Sequence, residues 1–119
     1  MERAWTIELC TEVRREIAAL PNPVRRALGT ALLAVEIEGP DLGRPTVDTL
    51  KGSRHANMKE LRFGSDGSVW RFAFAFDPER SAVVLVGGDK QGRNERRFYR
   101  WLVETADVRF DRHLKEMEQ

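Results

Sequence analysis

The sequence predicts a single α+β domain in which a short N-terminal strand and a two-helix hairpin precede a mostly antiparallel sheet and a C-terminal helix. First, the 119 residues leave room for one hydrophobic core. Second, the apolar spacing is helical between residues 11 and 39, changes to a period of two from residue 58, and is helical again after residue 94. Third, 41% hydrophobic and 33% charged residues are typical of a folded chain with a heavily charged surface.

The N-terminal third predicts one strand and two helices. Residues 5–9 alternate apolar and polar side chains, which indicates a short half-buried strand. Thr11 is placed to cap a helix that ends at the Pro-Asn-Pro link of residues 21–23. Pro23 is favoured at a first helical position and begins a second helix, which Gly39 ends. So tight a link predicts an antiparallel αα-hairpin with charged faces toward solvent.

The remainder of the chain predicts a loop, three strands and a last helix. Residues 39–52 contain three glycines and two prolines and are expected to form a loop. Residues 58–63 and 69–77 show strand patterns, and the near-continuous apolar run 81–88 is typical of a central strand. Short links make the three strands an antiparallel meander. Asn94 is placed to cap a C-terminal helix.

Charge is unevenly distributed along the chain, although the net charge is only +1. Residues 44–100 contain twelve Lys and Arg against seven Asp and Glu, whereas the segments on either side each carry two more acidic than basic residues. Such asymmetry indicates contact with a polyanion on one part of the surface. The alternative is that charges on solvated faces cluster by chance.

Several classes of protein are not expected. The chain has no apolar run long enough to span a membrane, and residues 1–5 lack the layout of a signal peptide, so we expect a cytoplasmic protein without a membrane partner. Cys10 has no second cysteine to pair with and is expected to be a small core or helix-start residue. His55 and His113 lie far apart, and no carboxylates show ligand spacing. We therefore expect no metal site and no cofactor.

Five stretches together resemble the phage-derived-protein (HigB-like) branch of the RelE/HigB toxin superfamily. They cover nearly the whole chain in the right order: GPDLGRPTVDTLKGS, NMKELRF, WRFAFAFDPERSAVVLVGGDKQG, FYRW and ADVRFDRHL. The resemblance implies a mostly antiparallel four-stranded sheet with two N-terminal helices packed on it. It also implies a toxin of a type II toxin–antitoxin system that cleaves mRNA, often on the ribosome, and is neutralised by a helix-turn-helix (HigA-like) antitoxin.

The basic centre of the chain contains the candidate active site. Strand alternation puts Glu60 and Arg62 on one face, and Arg71 on the next strand completes a cationic patch if it points the same way. Guanidinium groups are well suited to binding a scissile phosphate. The resemblance implies that the cleft is lined by Lys59 or Arg62, by Arg71, by Lys90 and by Tyr99.

Roles follow from the chemistry of RNA cleavage, which requires a base, stabilisation of the phosphorane and a proton donor. We expect Arg62 and Arg71 to bind the phosphate and Lys90 to assist the leaving oxygen. Glu60 is the candidate general base, although well-characterised relatives carry lysine there, and a structural ion pair is an open alternative. Tyr99 is expected to stack on a nucleotide or donate a proton. Further RNA-binding candidates in the basic segment are Lys51, Arg54, Lys59, Arg93 and Arg97.

Two alternatives keep the fold and remove the catalysis. One is a non-catalytic toxin similar to the ParE type, which inhibits DNA gyrase by binding it. The other is a phage-derived interaction module without toxicity.

Overall fold

The computed structural model describes residues 4–119. Residues 1–3, part of the stretch for which no signal peptide is predicted, lie outside the described residues. Among the helices of residues 4–119, none combines the length and apolar character needed to cross a bilayer. The elements in chain order are β1 (Thr6–Leu9), α1 (Thr11–Ala18), α2 (Asn22–Glu38), a 3₁₀ turn (Gly39–Asp41), β2 (Val47–Thr49), β3 (Met58–Ser65), β4 (Ser68–Phe76), β5 (Ser81–Asp89) and α3 (Glu95–Met117).

The strands form one mixed sheet in the order β1-β5-β4-β3-β2. β1 is parallel to β5, and the other neighbours are antiparallel. The predicted α+β class is confirmed, but the expected count of four strands is wrong. The fifth strand, β2, lies in the stretch predicted as loop and pairs Val47 with Leu61 and Thr49 with Lys59. Three residues are too few for a period of two to be recognised.

α1 begins one residue earlier than the predicted cap implies. Cys10, not Thr11, occupies the N-cap position, and its side chain does not cap the helix. The Cys10 backbone N–H donates to Val84 O at 3.1 Å, and its carbonyl accepts from Arg14 N, so β1 runs directly into α1. The Cys10 thiol is buried, donates to Leu85 O and has a pKa raised by that burial. The predicted core and helix-start role of Cys10 is confirmed.

α2 ends at Gly39, as predicted, and the structure explains why glycine is required there. Gly39 has φ +55°, a left-handed conformation that favours glycine. A Cβ at this position would also overlap the indole of Trp5. Trp5 is held in place because its backbone N–H donates to Glu36 O at 2.9 Å. The end of α2 is therefore packed directly against the start of the chain's first strand.

α3 covers the sheet face on which the candidate active site lies. Asn94 caps the helix by accepting from Arg97 N at 3.1 Å, as predicted. Gly88 of β5 has no side chain, so Phe98 of α3 approaches within 3.6 Å of where its Cβ would be. Arg71 lies directly opposite Gly88 in the sheet and therefore shares this face. The first turns of α3 are thereby brought over β4.

Two ion pairs join α1 to the C-terminal half of α3. Arg109 Nη2 is 2.8 Å from Glu16 Oε2, and Arg112 binds Glu12. Arg109 Nη1 also donates to Leu85 O at 2.7 Å. Glu12 and Glu16 of the predicted hairpin are thus paired with α3, where the sequence predicts charged faces turned to solvent.

Candidate active site

Strand alternation brings Glu60, Arg62 and Arg71 together as predicted. Arg62 on β3 and Arg71 on β4 are directly opposite each other, and Glu60 is two residues along β3 on the same face. Like charges at directly opposed positions repel and destabilise a sheet unless an anion lies between them. Glu60 supplies that anion in the free protein.

The Glu60 carboxylate is buried, with 4% of the residue exposed, and its hydrogen bonds and ion pairs within residues 4–119 fall on one oxygen. Glu60 Oε1 is 3.0 Å from Arg62 Nε and 3.5 Å from Arg71 Nε. The Tyr99 hydroxyl donates to the same oxygen. A buried carboxylate is tolerated only with such partners. None of these contacts uses Oε2, which leaves that atom available to a ligand.

Tyr99 connects α3 to the two strands. Arg62 Nη2 donates to the Tyr99 hydroxyl at 3.4 Å, and the Arg71 guanidinium lies 5.9 Å from the centre of the Tyr99 ring. Burial, together with the hydrogen bond to Glu60, raises the pKa of Tyr99 above its ordinary value, so the phenol is protonated at neutral pH. The hydrogen bonds to Tyr99 and Glu60 raise the pKa of Arg62 in turn.

Arg71 is almost entirely buried yet keeps hydrogen-bonding capacity. Its side chain is 10% exposed, and Nη1 donates to Val69 O at 3.2 Å. Its Nε has no hydrogen-bond partner within residues 4–119. A buried unsatisfied donor is costly, and the Glu60 carboxylate 3.5 Å away offsets that cost by its charge. The donor of Arg71 that makes no described contact is Nη2.

Lys90 is connected to the site by Glu95, a residue that the sequence did not predict to be part of it. Lys90 forms an ion pair with Glu95 in the first turn of α3. The pKa of Glu95 is lowered first by Lys90 and further by the charges of Arg71 and Arg62. Glu95 therefore lies within the field of both arginines, with Lys90 at the margin.

A cavity of about 400 Å³ opens onto this cluster. Its charged and hydrogen-bonding lining side chains include Asp48, Lys51, Glu60, Arg62, Glu95 and Tyr99. Asp48 is directly opposite Glu60 in the sheet, and the pKa of Asp48 is lowered chiefly by its hydrogen bond from Thr49 N. The cavity thus combines the Arg62 guanidinium group, a protonated phenol and carboxylates in one small concave surface, and the buried Arg71 lies behind Glu60.

Comparison with known proteins identifies the family. Residues 15–111 match the family described as Phage derived protein Gp49-like (DUF891). The chain belongs to this family. Two curated relatives of the Gp49-like chain come from Mycobacterium tuberculosis. The first, "Putative toxin HigB2", is 51% identical over 115 residues, which cover 96% of this chain and 56% of that relative. The second, "Putative toxin HigB3", is 42% identical over 106 residues, which cover 89% of this chain and 90% of that relative.

The fold of the Gp49-like chain is similar to that of a solved toxin. A mutant of E. coli toxin RelE in the free state superposes with a TM-score of 0.60 at 18% identity, covering 84% of this chain and 94% of that one. The predicted place in the RelE/HigB superfamily and the RelE-like fold are confirmed. This chain spans little more than half the length of the first relative, 56%.

The predicted RNA-binding residues of the Gp49-like chain are spread over the surface. Lys51 lines the cavity. Arg54 is held by Asp107 and Asp111 of α3, and Lys59 lies on the opposite face of β3, with Nζ 3.4 Å from Thr49 Oγ1. Arg93 lies over the rings of Phe98 and Trp101, and Arg97 lines the surface beside them. The structure therefore brings one of the five, Lys51, to the cavity.

Two basic residues that the prediction omits are close to the Gp49-like active-site candidate. Arg96 and Arg100 line a groove that also includes Lys51 and Tyr99. Their spacing of four along a helix, with Tyr99 between them, puts all three on one side of α3. This helical spacing was a usable signal, but it does not say which face of α3 turns toward the cavity.

A separate group of possible metal ligands lies away from the cavity. Glu8, Asp77 and His113 come together, with His113 Nε2 2.8 Å from Asp77 Oδ2 and Nδ1 3.6 Å from Glu8 Oε2. Asp77 Oδ1 also accepts from Glu79 N and Ser81 N, so this carboxylate holds the β4–β5 turn. Spacing along the chain does not reveal the group, because its members come from β1, that turn and α3.

Proposed function

We propose that this chain is the toxin of a type II toxin–antitoxin system and that it acts as a metal-independent endoribonuclease on mRNA in the cytoplasm, associated with the ribosome. The observation that carries the proposal is the buried cluster in which Arg62, Arg71 and Tyr99 converge on Glu60 beneath an open cavity. Relatives named as toxins at 51% and 42% identity support the same reading.

In the proposed reaction the RNA 2′-oxygen attacks the adjacent phosphorus while the 5′-oxygen leaves, so that a cyclic phosphate and a 5′-hydroxyl form. Glu60 Oε2, which accepts no hydrogen bond from residues 4–119, takes the proton of the 2′-hydroxyl. Arg62 and Arg71 stabilise the additional negative charge on the phosphorane through donors that Glu60 leaves unused. Two guanidinium groups supply the positive charge that a metal ion would otherwise bring.

Lys90 protonates the leaving oxygen, for which it exchanges its ion pair with Glu95 for a contact with the substrate. Tyr99 holds Glu60 through its hydroxyl and offers its ring to a nucleotide base. Glu95 then acts as the resting partner of Lys90, which keeps the ammonium group close to the cavity between reactions.

The partner we propose is a helix-turn-helix antitoxin of the HigA type, encoded beside this chain. Co-expression of the neighbouring reading frame should restore growth to cells that express the chain. Continued growth arrest in the presence of that product would contradict this part of the proposal.

The test of the enzymatic function compares expression of the chain with expression of Arg71→Ala and Arg62→Ala. We expect the wild type to arrest growth and fragment mRNA, and both variants to lose fragmentation while retaining the native circular dichroism spectrum. Arg26→Ala is a matched control, because Arg26 is exposed on α2 and forms no ion pair within residues 4–119. Intact fragmentation in both site variants would refute the assignment, and DNA damage without RNA fragments would favour a non-catalytic gyrase inhibitor.

A further inference from the structure

A second groove adjoins the proposed active site and is continuous with it. The groove has a volume of about 320 Å³ and is lined by Arg96 and Arg100 of α3 and by Lys51 of the segment after β2. Tyr99 and Lys51 line both the groove and the cavity. A ligand that occupies the cavity and extends beyond Tyr99 would therefore enter this groove.

Within residues 4–119, the cations of the groove form no ion pair, whereas other arginines such as Arg44, Arg109 and Arg112 do. Arg96 and Arg100 are one helical turn apart, and such a like-charge pair costs roughly 0.2–0.5 kcal/mol in an isolated helix. Glu104, one turn further, also lines the groove but forms no ion pair with Arg100 there. Lys51 adds a third positive charge from another element.

The arginines of α3 differ in their ion pairing along the helix. Further along the same helix, Arg109 and Arg112 are each bound by a glutamate of α1. α3 thus neutralises its arginines where it packs against another helix and leaves them unpaired beside the cavity. Unpaired guanidinium groups in a concave surface favour an anionic ligand with repeated charges.

We propose that the Lys51–Arg96–Arg100 groove binds the phosphodiester backbone of the RNA that flanks the scissile phosphate. This inference rests on the proposed function and adds the path of the substrate to it. RNA is favoured over an acidic protein segment because the groove continues past an aromatic ring, Tyr99, at the mouth of the cavity. Alternating cationic and aromatic contacts are the usual recognition pattern for single-stranded RNA.

The experiment measures binding separately from cleavage, with oligoribonucleotides of three and nine nucleotides whose riboses are 2′-O-methylated and therefore cannot be cut. Fluorescence anisotropy is recorded at several salt concentrations for the wild type, for Arg96→Gln/Arg100→Gln and for the control Arg15→Gln/Arg26→Gln. The control removes the same charge from exposed positions of α1 and α2. Urea denaturation verifies that all three proteins fold.

We expect the wild type to bind the nonamer more tightly than the trimer. The Arg96→Gln/Arg100→Gln variant should lose two phosphate contacts, which lowers the slope of log Kd against log salt by roughly 1.4 for the nonamer. Trimer binding and the control should not change. Lys51→Gln should remove one more phosphate contact and lower the salt slope for the nonamer by roughly a further 0.7.

Cleavage of unmodified RNA, measured in parallel, separates the two proposals. The expected slopes without any cleavage would support the groove and refute the enzymatic function. Cleavage by the wild type with equal slopes in variant and wild type would overturn the groove, as would equal binding of trimer and nonamer by the wild type. Binding of a polyglutamate peptide that depends on Arg96 and Arg100, where RNA binding does not, would also overturn it.

Discussion

Replacing Glu60 with glutamine separates the two roles that this residue could have, a general base and the anchor of an ion-pair cluster. Glutamine keeps an oxygen that accepts from Tyr99 and Arg62, but it has no charge and cannot take a proton at Oε2. If Glu60 is the base, single-turnover cleavage should fall by about 10²–10⁴-fold, the usual contribution of general base catalysis. Substrate binding should be retained, because the arginines that we propose to hold the phosphate remain.

The same substitution series predicts the effect on stability. Removal of one partner from a buried ion pair costs about 3–5 kcal/mol. The Glu60→Ala change should lie at the low end, about 3 kcal/mol, because Arg62 is 45% exposed and regains water, whereas Arg71 is 10% exposed and does not. In a domain of this size that is a fall in Tm of about 12 °C. Glu60→Gln should cost less than half as much. Cleavage by Glu60→Gln within a few-fold of the wild type, with a clear loss of stability, would refute the catalytic role and leave the ion pair as the function of Glu60.

Three further changes test other parts of the structure. Gly39→Ala should lower the free energy of unfolding in urea by at least about 2 kcal/mol, because alanine is strained at φ +55° and its Cβ overlaps the neighbouring indole. The control Gly43→Ala, with open space around it, should change that free energy by no more than about 0.5 kcal/mol. Equal effects of the two substitutions would contradict the packing of Gly39 against Trp5. The hydrogen bond from Arg112 holds the pKa of Glu12 at about 2, below its ordinary 4.5, so the pair stabilises the fold above pH 4.5 and this contribution is lost as the pH falls through 2. The free energies of unfolding of wild type and Glu12→Gln should differ by about 0.5 kcal/mol at pH 6, since the pair is partly exposed. The two values should converge at pH 2, and a difference that persists there would refute the assignment. Tyr99→Phe should lower kcat about tenfold with KM unchanged, because the ring stays and the hydroxyl that orients the carboxylate is lost; a rise in KM alone would assign Tyr99 to binding.

Local patterns were sufficient for much of the site. A two-residue Asp66–Gly67 turn is a strong hairpin signal, and it sets Ser65 opposite Ser68. Counting back from that turn puts Arg62 opposite Arg71, so even the register could be obtained from the sequence. Period-two alternation added Glu60 to the same face. The alternation was used in the prediction, whereas the turn signal was not, and the orientation of Arg71 was therefore left conditional. Both signals are local, because strand pairing through a short turn depends on neighbouring residues.

Contacts that depend on how α3 crosses the sheet were beyond local patterns. Helical spacing cannot say that Tyr99 meets Glu60, or that Glu95 pairs with Lys90 beside the arginines. Arg54 appeared as free positive charge in the sequence, but two aspartates of α3 bind it. β2 was missed because three residues carry too little pattern, and Asp48 was missed with it. Composition and periodicity do not predict contacts that depend on long-range packing.

The opposed arginines are compatible with a site that is stable when empty and that binds phosphate as we propose. Arg62 donates from Nε to Glu60 and from Nη2 to Tyr99, which leaves Nη1. Arg71 donates from Nη1 to Val69 O and turns its buried Nε toward Glu60, which leaves Nη2. Each guanidinium group is therefore fixed by one edge and open at another. If the proposed function is right, we expect a phosphate to bind the remaining donors without displacing Glu60, so that little reorganisation is needed when the substrate arrives. Substitution of either arginine by lysine keeps the charge but provides a single donor group, which cannot hold the carboxylate and the phosphate at once. Arg71→Lys should consequently lose cleavage almost as completely as Arg71→Ala, and activity close to that of the wild type would show that charge alone is enough.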